Sequence, residues 1–279
     1  MFILLFVGFI FLILIRVPVS IAIGAAVLMT FLTSDFSDSL YIIPQQILEG
    51  VNKPSLAAVP FFIMAGNLMN VVGMTDRIFN FANSLVGHFK AGLAQVNVLS
   101  SMIFAGVSGA AVADCAGLGA IEIKAMKERG YKPEFAAAVT VCSAVVGPII
   151  PPSIGLVIFA FLAQQSVERM FLAGMIPGII IGLSLMLFNR LLAIKHNFPT
   201  QKKASSKEVI SSAWDGILAL VAPGIILGSI LGGFVTATEA GVLACVYSIM
   251  LGLFYKTLNF SNLWKALTDT MLMTSVIMI

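Results

Sequence analysis

The sequence predicts an all-α, polytopic membrane protein, and three observations carry that prediction. Of its 279 residues 59% are hydrophobic and only 10% are charged, and the mean hydropathy is +1.03. A soluble domain of this length cannot hide so much apolar side chain, whereas a bilayer solvates it. The apolar residues gather into runs parted by short polar loops. Helix breakers then stand in the middle of two such runs: Phe104–Ala105–Gly106–Val107–Ser108–Gly109–Ala110–Ala111–Val112–Ala113–Asp114 and Val145–Val146–Gly147–Pro148–Ile149–Ile150–Pro151–Pro152–Ser153.

Taken in order, residues 2–15 and about 19–33 are apolar segments parted by Arg16–Val17–Pro18. Pro18 interrupts the helical hydrogen-bond ladder, so a tight pair of helices is predicted rather than one long helix. The first run has no basic leader and more membrane sequence follows directly, so it is read as retained rather than as a signal peptide. Ser34–Ser39 is a polar, acidic loop, residues 40–49 a short interfacial helix, and Asn52–Lys53–Pro54 its end. Residues 56–73 form a span containing Pro60 and Gly66. From Asp76 to Val86, Ile78, Phe79, Phe81, Ala82 and Leu85 alternate with Asp76, Arg77, Asn80 and Asn83. That pattern predicts an amphipathic helix lying in the interface plane.

Residues 92–126 run between two basic flanks, Gly87–His88–Phe89–Lys90 and Lys124 to Lys132. Basic loops prefer the cytoplasm, so both ends belong on that side. With a glycine-rich centre, the segment reads as a re-entrant hairpin with its tip near Gly106–Asp114, rather than as two full spans. Residues 134–163 rise from the same side, break at Gly147–Ser153 and continue to Ala163, before a short turn at Gln164–Gln165–Ser166. Residues 170–192 return, with Gly174, Pro177 and Gly178 early in the span. They enter the most basic segment, Arg190, Lys195, His196, Lys202, Lys203 and Lys207, which agrees with a cytoplasmic loop. Counting back places the N-terminus outside. Residues 213–233 and about 240–255 are further spans with a break from Gly232 to Gly241 between them. Residues 262–279 are apolar after Lys265 and Asp269 and stop without a polar tail, as expected of a fragment.

The proline-rich break can be read atom by atom. A proline at position i cannot donate to the carbonyl at i−4, and its ring pushes that carbonyl away. Pro148, Pro151 and Pro152 therefore release the carbonyls of Ala144, Gly147 and Pro148. Irregular backbone at membrane depth is tolerated only where it is buried in protein or lines a cavity. Broken helices of this kind mark the binding sites of secondary transporters. The other break adds the Ser108 hydroxyl, flexible glycines at 106 and 109, and the Asp114 carboxylate. Hard oxygen ligands suit a small hard cation. The bland alternative is a kinked helix whose carbonyls are satisfied by water or by neighbouring Ser and Thr.

Ionisable groups inside membrane segments are functional candidates by default. Arg16 reads as a snorkelling anchor, and Glu122 and Asp215 as interfacial. Asp114 either helps bind a cation or caps the second half-helix, with capping and shaping of the tip preferred. Glu239 stands in a Thr-rich break as an N-cap, an ion-pair partner or a site residue, with structural pairing preferred. No G-x-x-x-x-G-K-[ST] occurs, so the chain is not the ATPase of a pump. No Ser/His/Asp or metal-dyad arrangement appears, and His88 and His196 lie in polar loops, so no enzyme is predicted. Cys115, Cys142 and Cys245 lie singly, without metal spacing, and read as small buried residues. The net charge of +3 is too small to suggest nucleic acid.

At these motifs the sequence resembles the large membrane subunit of tripartite ATP-independent periplasmic (TRAP) transporters. The resemblance rests on Pro60–Phe61–Phe62–Ile63–Met64–Ala65–Gly66–Asn67, on Phe104 to Asp114, on Gly130–Tyr131, on Gly147–Pro148–Ile149–Ile150–Pro151–Pro152–Ser153 and on Thr238–Glu239–Ala240. It covers essentially the whole chain in the family's order.

The resemblance implies an elevator-type fold of two inverted repeats, each with a re-entrant hairpin and a broken transmembrane helix. It implies sodium-coupled import of organic acid anions, C4-dicarboxylates or sialic and sugar acids, across the bacterial inner membrane. A periplasmic binding protein would deliver the substrate, and a separate small membrane subunit would brace the scaffold. Carried onto this chain, sodium would be held by Ser108 and the carbonyls of Gly147, Ile150 and Pro152. Gly106, Gly109, Asp114, Pro148, Pro151 and Ser153 would shape the tip or touch substrate, and Glu239 is a structural or coupling candidate. Residues 1–86 would be scaffold and arm helices, and 87–192 the first half of the moving transport domain. Residues 193–212 would be a cytoplasmic loop, and 213–279 the opening of a second repeat that is cut short. A binding-protein-independent sodium/anion symporter of the same superfamily is the alternative. A channel subunit or an intramembrane enzyme is a more distant one.

Overall fold

The computed structural model describes residues 2–33, 40–196, 198 and 200–278, with the side chains of Val51, Pro54, Ser55, Lys195 and His196 excepted. The acidic loop predicted at Ser34–Ser39 lies outside the described residues. Thirteen α-helices and no strand occur among the residues described. Among the described residues three helices are long and apolar enough to cross a membrane, or up to four if one bent pair counts as a single span.

Helices α1 (Phe2–Leu14), α2 (Val19–Leu32) and α3 (Ile42–Val51) belong to one compact unit, together with the residues from Ser275 onward. Pro18 sets the start of α2 and Arg16 turns the chain at φ 65°. The result is the expected pair rather than one rod, and α1 packs against α2. α1 buries no residue, so its Phe, Ile and Leu side chains are left for an apolar solvent. Arg16 is exposed, in keeping with an anchor.

The second unit runs from Pro54 to Thr274. After a 3-10 turn at Pro54–Ala57 come α4 (Ala58–Val71) and α5 (Met74–Val86), bent by 73° at Gly73. Gly73 has φ 80°, a conformation that glycine adopts without steric cost. The apolar stripe of α5, Met74, Ile78, Ala82 and Val86, is buried. It packs against α6 (Gly92–Ser108) and α11 (Ser206–Leu231). The expected amphipathic helix is therefore present; of the apolar residues named for it, Ile78 and Ala82 are buried against protein, Phe79 and Phe81 are half-buried and Leu85 is exposed. The division between units at residue 53 is one of packing.

Helices α6 and α7 (Ala111–Glu128) form the hairpin, with only Gly109–Ala110 between them. Its two ends return to one place: Met126 and Tyr131 share a buried cluster with Ala91, Leu93, Val96, Val139 and Ala193. The Tyr131 hydroxyl is hydrogen-bonded to the backbone of Leu93, and burial pushes its pKa up to about 12. Helices α8 (Pro133–Ala144) and α9 (Ile154–Leu162) are the two halves of the broken helix. α10 (Val167–His196) returns along both, and the Gln95 amide donates to the Met186 carbonyl at 2.8 Å. α12 (Ala237–Phe254) packs on α4, and α13 (Phe260–Met278) follows. A second cluster, with Met69, Ile78, Phe104, Val107, Leu118, Ala222 and Leu251, ties α4–α7 to α11 and α12. Lipid tails are as apolar as these side chains, so close packing rather than water exclusion holds such helices together. Of the cysteines expected to be buried, Cys245 is buried, Cys115 intermediate and Cys142 exposed. An exposed thiol on an apolar helix costs little where lipid rather than water surrounds it.

Candidate functional site

The two breaks meet. The Ile154 amide, at the start of α9, donates to the Gly109 carbonyl in the hairpin turn at 3.3 Å. Gly109 has φ 58°, and a side chain there would run into the Pro152 carbonyl and the Ser153 backbone. A Cβ on Gly147 would lie 3.1 Å from the Ala144 carbonyl oxygen and 3.4 Å from the Ala110 carbonyl carbon. Gly106 faces Pro223 of α11: a Cβ there would come within 2.7 Å of the proline ring. Gly109 stands where two backbones approach too closely for a side chain, and Gly106 where a backbone meets the Pro223 ring.

Four helix ends converge at this crossing. α6 ends at Ser108 and α8 at Ala144, while α7 begins at Ala111 and α9 at Ile154. Helix C-termini carry partial negative charge and N-termini partial positive charge. One crossing therefore offers two ends suited to a cation and two suited to an anion.

The carbonyls behave differently from the proline argument in two of three cases. The Ala144 carbonyl accepts from the Gly147 amide at 3.0 Å, because the chain tightens into turns as the helix ends. The Pro148 carbonyl accepts from the Ser153 hydroxyl, which folds back while capping α9 through the Leu156 amide at 3.2 Å. The Gly147 carbonyl accepts no hydrogen bond among the described residues, and neither do those of Ile150 and Pro152. Ser108 is 1% exposed, and its hydroxyl is buried without a partner. It makes no bond back to its own helix, as a serine in an α-helix otherwise would. Open hard oxygens thus stand on both sides of one junction. Pro148 is half-buried, and Pro151, Pro152 and Ser153 are buried.

Asp114 is buried in the first turn of α7 and makes no side-chain cap: the position before that helix is Ala110. The preferred capping role is therefore not what the structure shows. Glu122 is 1% exposed, against the interfacial placement expected from sequence. A segment end in sequence became an interior position because the hairpin packs α7 between α6 and α8. Asp215 is exposed as expected and lies 3.4 Å from Arg77. Glu239 completes a capping box at the start of α12: Thr236 Oγ1 accepts from the Glu239 amide at 3.3 Å, and Glu239 Oε2 accepts from the Thr236 amide at 2.7 Å. The contact is a backbone cap, and no ion pair of Glu239 occurs among the described residues.

Several neighbours were not legible. Gly66 of α4 lies against Ser108, where a Cβ would stand 3.0 Å from the serine Cα. Gly174 and Gly178 let α10 approach the carbonyl of Ile149 and the backbone of Ile150. Pro223 is a proline inside a span, the same signal that marked the other breaks. Beside the tip lies a cavity of about 630 Å³ whose polar lining includes Asn67, Asn70, Thr75, Asp76, Lys265 and Asp269.

Comparison with known proteins agrees with the motifs. A family model described as the DctM component of tripartite ATP-independent periplasmic transporters matches residues 6–279. The sialic acid TRAP transporter large permease protein SiaM of Vibrio cholerae is 40% identical over 252 residues, covering 90% of this chain and 59% of that protein. The 2,3-diketo-L-gulonate TRAP transporter large permease protein YiaN of Escherichia coli is 39% identical over 238 residues, covering 85% and 56% respectively. The C4-dicarboxylate TRAP transporter large permease protein DctM of Pseudomonas aeruginosa is 36% identical over 242 residues, covering 86% and 57%. The chain spans just over half the length of each of these relatives.

Proposed function

The chain belongs to the DctM family, the large membrane component of TRAP transporters, and on that premise we propose that it forms the sodium-binding half of an importer of organic acid anions. One observation carries the reading: an unpartnered buried Ser108 hydroxyl stands at a junction with the open carbonyls of Gly147, Ile150 and Pro152. Unwound backbone carbonyls and half-helix C-terminal ends are how such transporters hold sodium. The transported sodium would replace the missing hydrogen-bond donors at all four oxygens. Gly106, Gly109, Asp114, Pro148, Pro151 and Ser153 form the surrounding tip, where the N-terminal ends of α7 and α9 favour an anion.

The hairpin and the broken helix are bolted together, which suits a transport domain that moves as one body in an elevator cycle. Asn97, Ser101, Thr140 and Ser143 link α6 to α8 by side-chain hydrogen bonds of 2.6–3.2 Å. An inverted second repeat would open with residues 213–279 and continue in the part of the relatives' length that this chain does not span. The relatives' names point to C4-dicarboxylates, sialic acid or sugar acids as the substrate class. A periplasmic binding protein and a small membrane subunit are the expected partners, in the bacterial inner membrane. The tripartite family favours this reading over a binding-protein-independent symporter.

The test is uptake by the full-length protein reconstituted with its partners. Import should need a sodium gradient and binding protein and should ignore ATP. Undiminished uptake in sodium-free proteoliposomes overturns the coupling, and uptake without binding protein supports the symporter instead.

A further inference from the structure

The cavity of about 630 Å³ beside the tip is walled by α4 with the start of α5, by the first half of α7 and by α13. Val112 and Ala113 put its inner end in the first turn of α7, next to Gly109–Ala110. Ile121 marks the other end, roughly 13 Å further along that helix. On α4, Gly66 lies against Ser108 and the next residue, Asn67, lines the cavity. The space therefore begins beside the junction and leads toward the end of α7 that carries Lys124 and Lys127. Its volume lies in the small-molecule range of about 300–1,000 Å³.

Its walls are tied together. Asn67 Nδ2 donates to Thr270 Oγ1 at 3.0 Å, and Thr270, itself buried, donates to the Ala266 carbonyl at 2.6 Å. That bond joins α4 to α13. Asn70 lies over Gly117 of α7, where a Cβ would run into its carboxamide. The charged lining is Asp76 of α5 with Lys265 and Asp269 of α13. Among the described residues none of these three is in an ion pair. Charged side chains in a membrane protein face water-filled cavities and mark the path of a solute.

The chemistry of the lining selects that solute. Lys265 only donates, the two carboxylates only accept, and Asn70 and Thr75 can do both. With its nitrogen held by Thr270, Asn67 has its oxygen left to accept. A C4-dicarboxylate carries acceptors alone. One end can meet Lys265, but neither end has a hydrogen for Asp76 or Asp269, and its second charge is repelled by them. A polyhydroxylated monocarboxylate puts its one charge on Lys265, while its hydroxyls donate to the carboxylates and to Asn67. We propose that this cavity is a subsite for polyhydroxylated monocarboxylic acids of the sugar-acid type. Lys265 holds the carboxylate, and Asp76 and Asp269 select hydroxyl-bearing chains against dicarboxylates. The proposal rests on the reading of the chain as an importer of organic acid anions and names the class; it uses none of the four oxygens assigned to sodium.

Saturation-transfer NMR on the full-length protein in lipid nanodiscs, at fixed sodium, tests it with gluconate and succinate as probes. Gluconate should bind the more tightly. Lys265→Gln should weaken gluconate about tenfold or more, as expected for a lost hydrogen bond to a charged group, and Lys265→Arg should restore most of the affinity. Asp76→Asn and Asp269→Asn should each raise succinate affinity and narrow the preference for gluconate. Asp76 and Lys265 are exposed and Asp269 half-buried, so the fold should survive, and a melting curve of each variant checks it. If one aspartate variant folds poorly, the other reads the same shift. Absence of gluconate binding, succinate binding as tight as gluconate, gluconate affinity unchanged in Lys265→Gln, or a preference unmoved by both aspartate variants would each overturn the proposal. Binding is read without transport, so a failure of sodium-driven uptake and a failure of this subsite are separate results.

Discussion

Replacing Ser108 by alanine removes one oxygen and leaves the backbone as it was. The structure makes the two consequences opposite in sign. Without sodium the hydroxyl is buried and unpartnered, a state that costs about 1–3 kcal/mol. Ser108→Ala relieves that cost, so thermal stability in sodium-free buffer should hold or rise. With sodium the hydroxyl donates its lone pair to a charge, an interaction of about 1.5–3 kcal/mol. At 1.4 kcal/mol per factor of ten, the half-saturating sodium concentration should rise about 10- to 150-fold. The assay is a sodium titration of uptake in the reconstituted full-length variant, paired with a melting curve of the same preparation without sodium. An unchanged half-saturating concentration refutes the ligand assignment. A collapse of sodium-free stability refutes the orphaned-hydroxyl argument, because it would mean that Ser108 holds the fold.

Gly147→Leu should lower both sodium affinity and stability, the latter by roughly 1–3 kcal/mol of overpacking strain; a normal melting curve would show that the junction is looser than the 3.1 Å approach to Ala144 implies. Glu239→Ala should cost about 0.5–2 kcal/mol of stability through its capping box while leaving sodium affinity alone, and Glu239→Gln should recover most of it. Asp215→Asn should change stability by less than about 1 kcal/mol, since that carboxylate is 78% exposed. Cysteines placed at the exposed positions of Lys90 and Lys127 should both resist an impermeant thiol reagent applied from outside; labelling of only one contradicts the hairpin.

The breakers announced the site because they are chemically local. Proline lacks a donor and glycine lacks a Cβ wherever they stand, so Gly109 and Pro151–Pro152 marked the junction before any packing was known. The same locality made the helix ends at Pro18 and Gly73 legible, and composition alone placed the chain in a bilayer. Which carbonyls stay open was not local. Ala144 and Pro148 were satisfied by Gly147 and Ser153, a choice made by how the turn closed. The apolar stripe of α5 was visible in sequence, but whether lipid or protein covers it depended on α6 and α11 arriving there. Glu122 is the sharpest case. Its neighbours in sequence include Lys124, Lys127 and Glu128, which read as a segment end near water. Only the folding of α7 between α6 and α8 took its carboxyl out of reach of solvent, because burial is set by what packs across a helix and not by what flanks it along the chain.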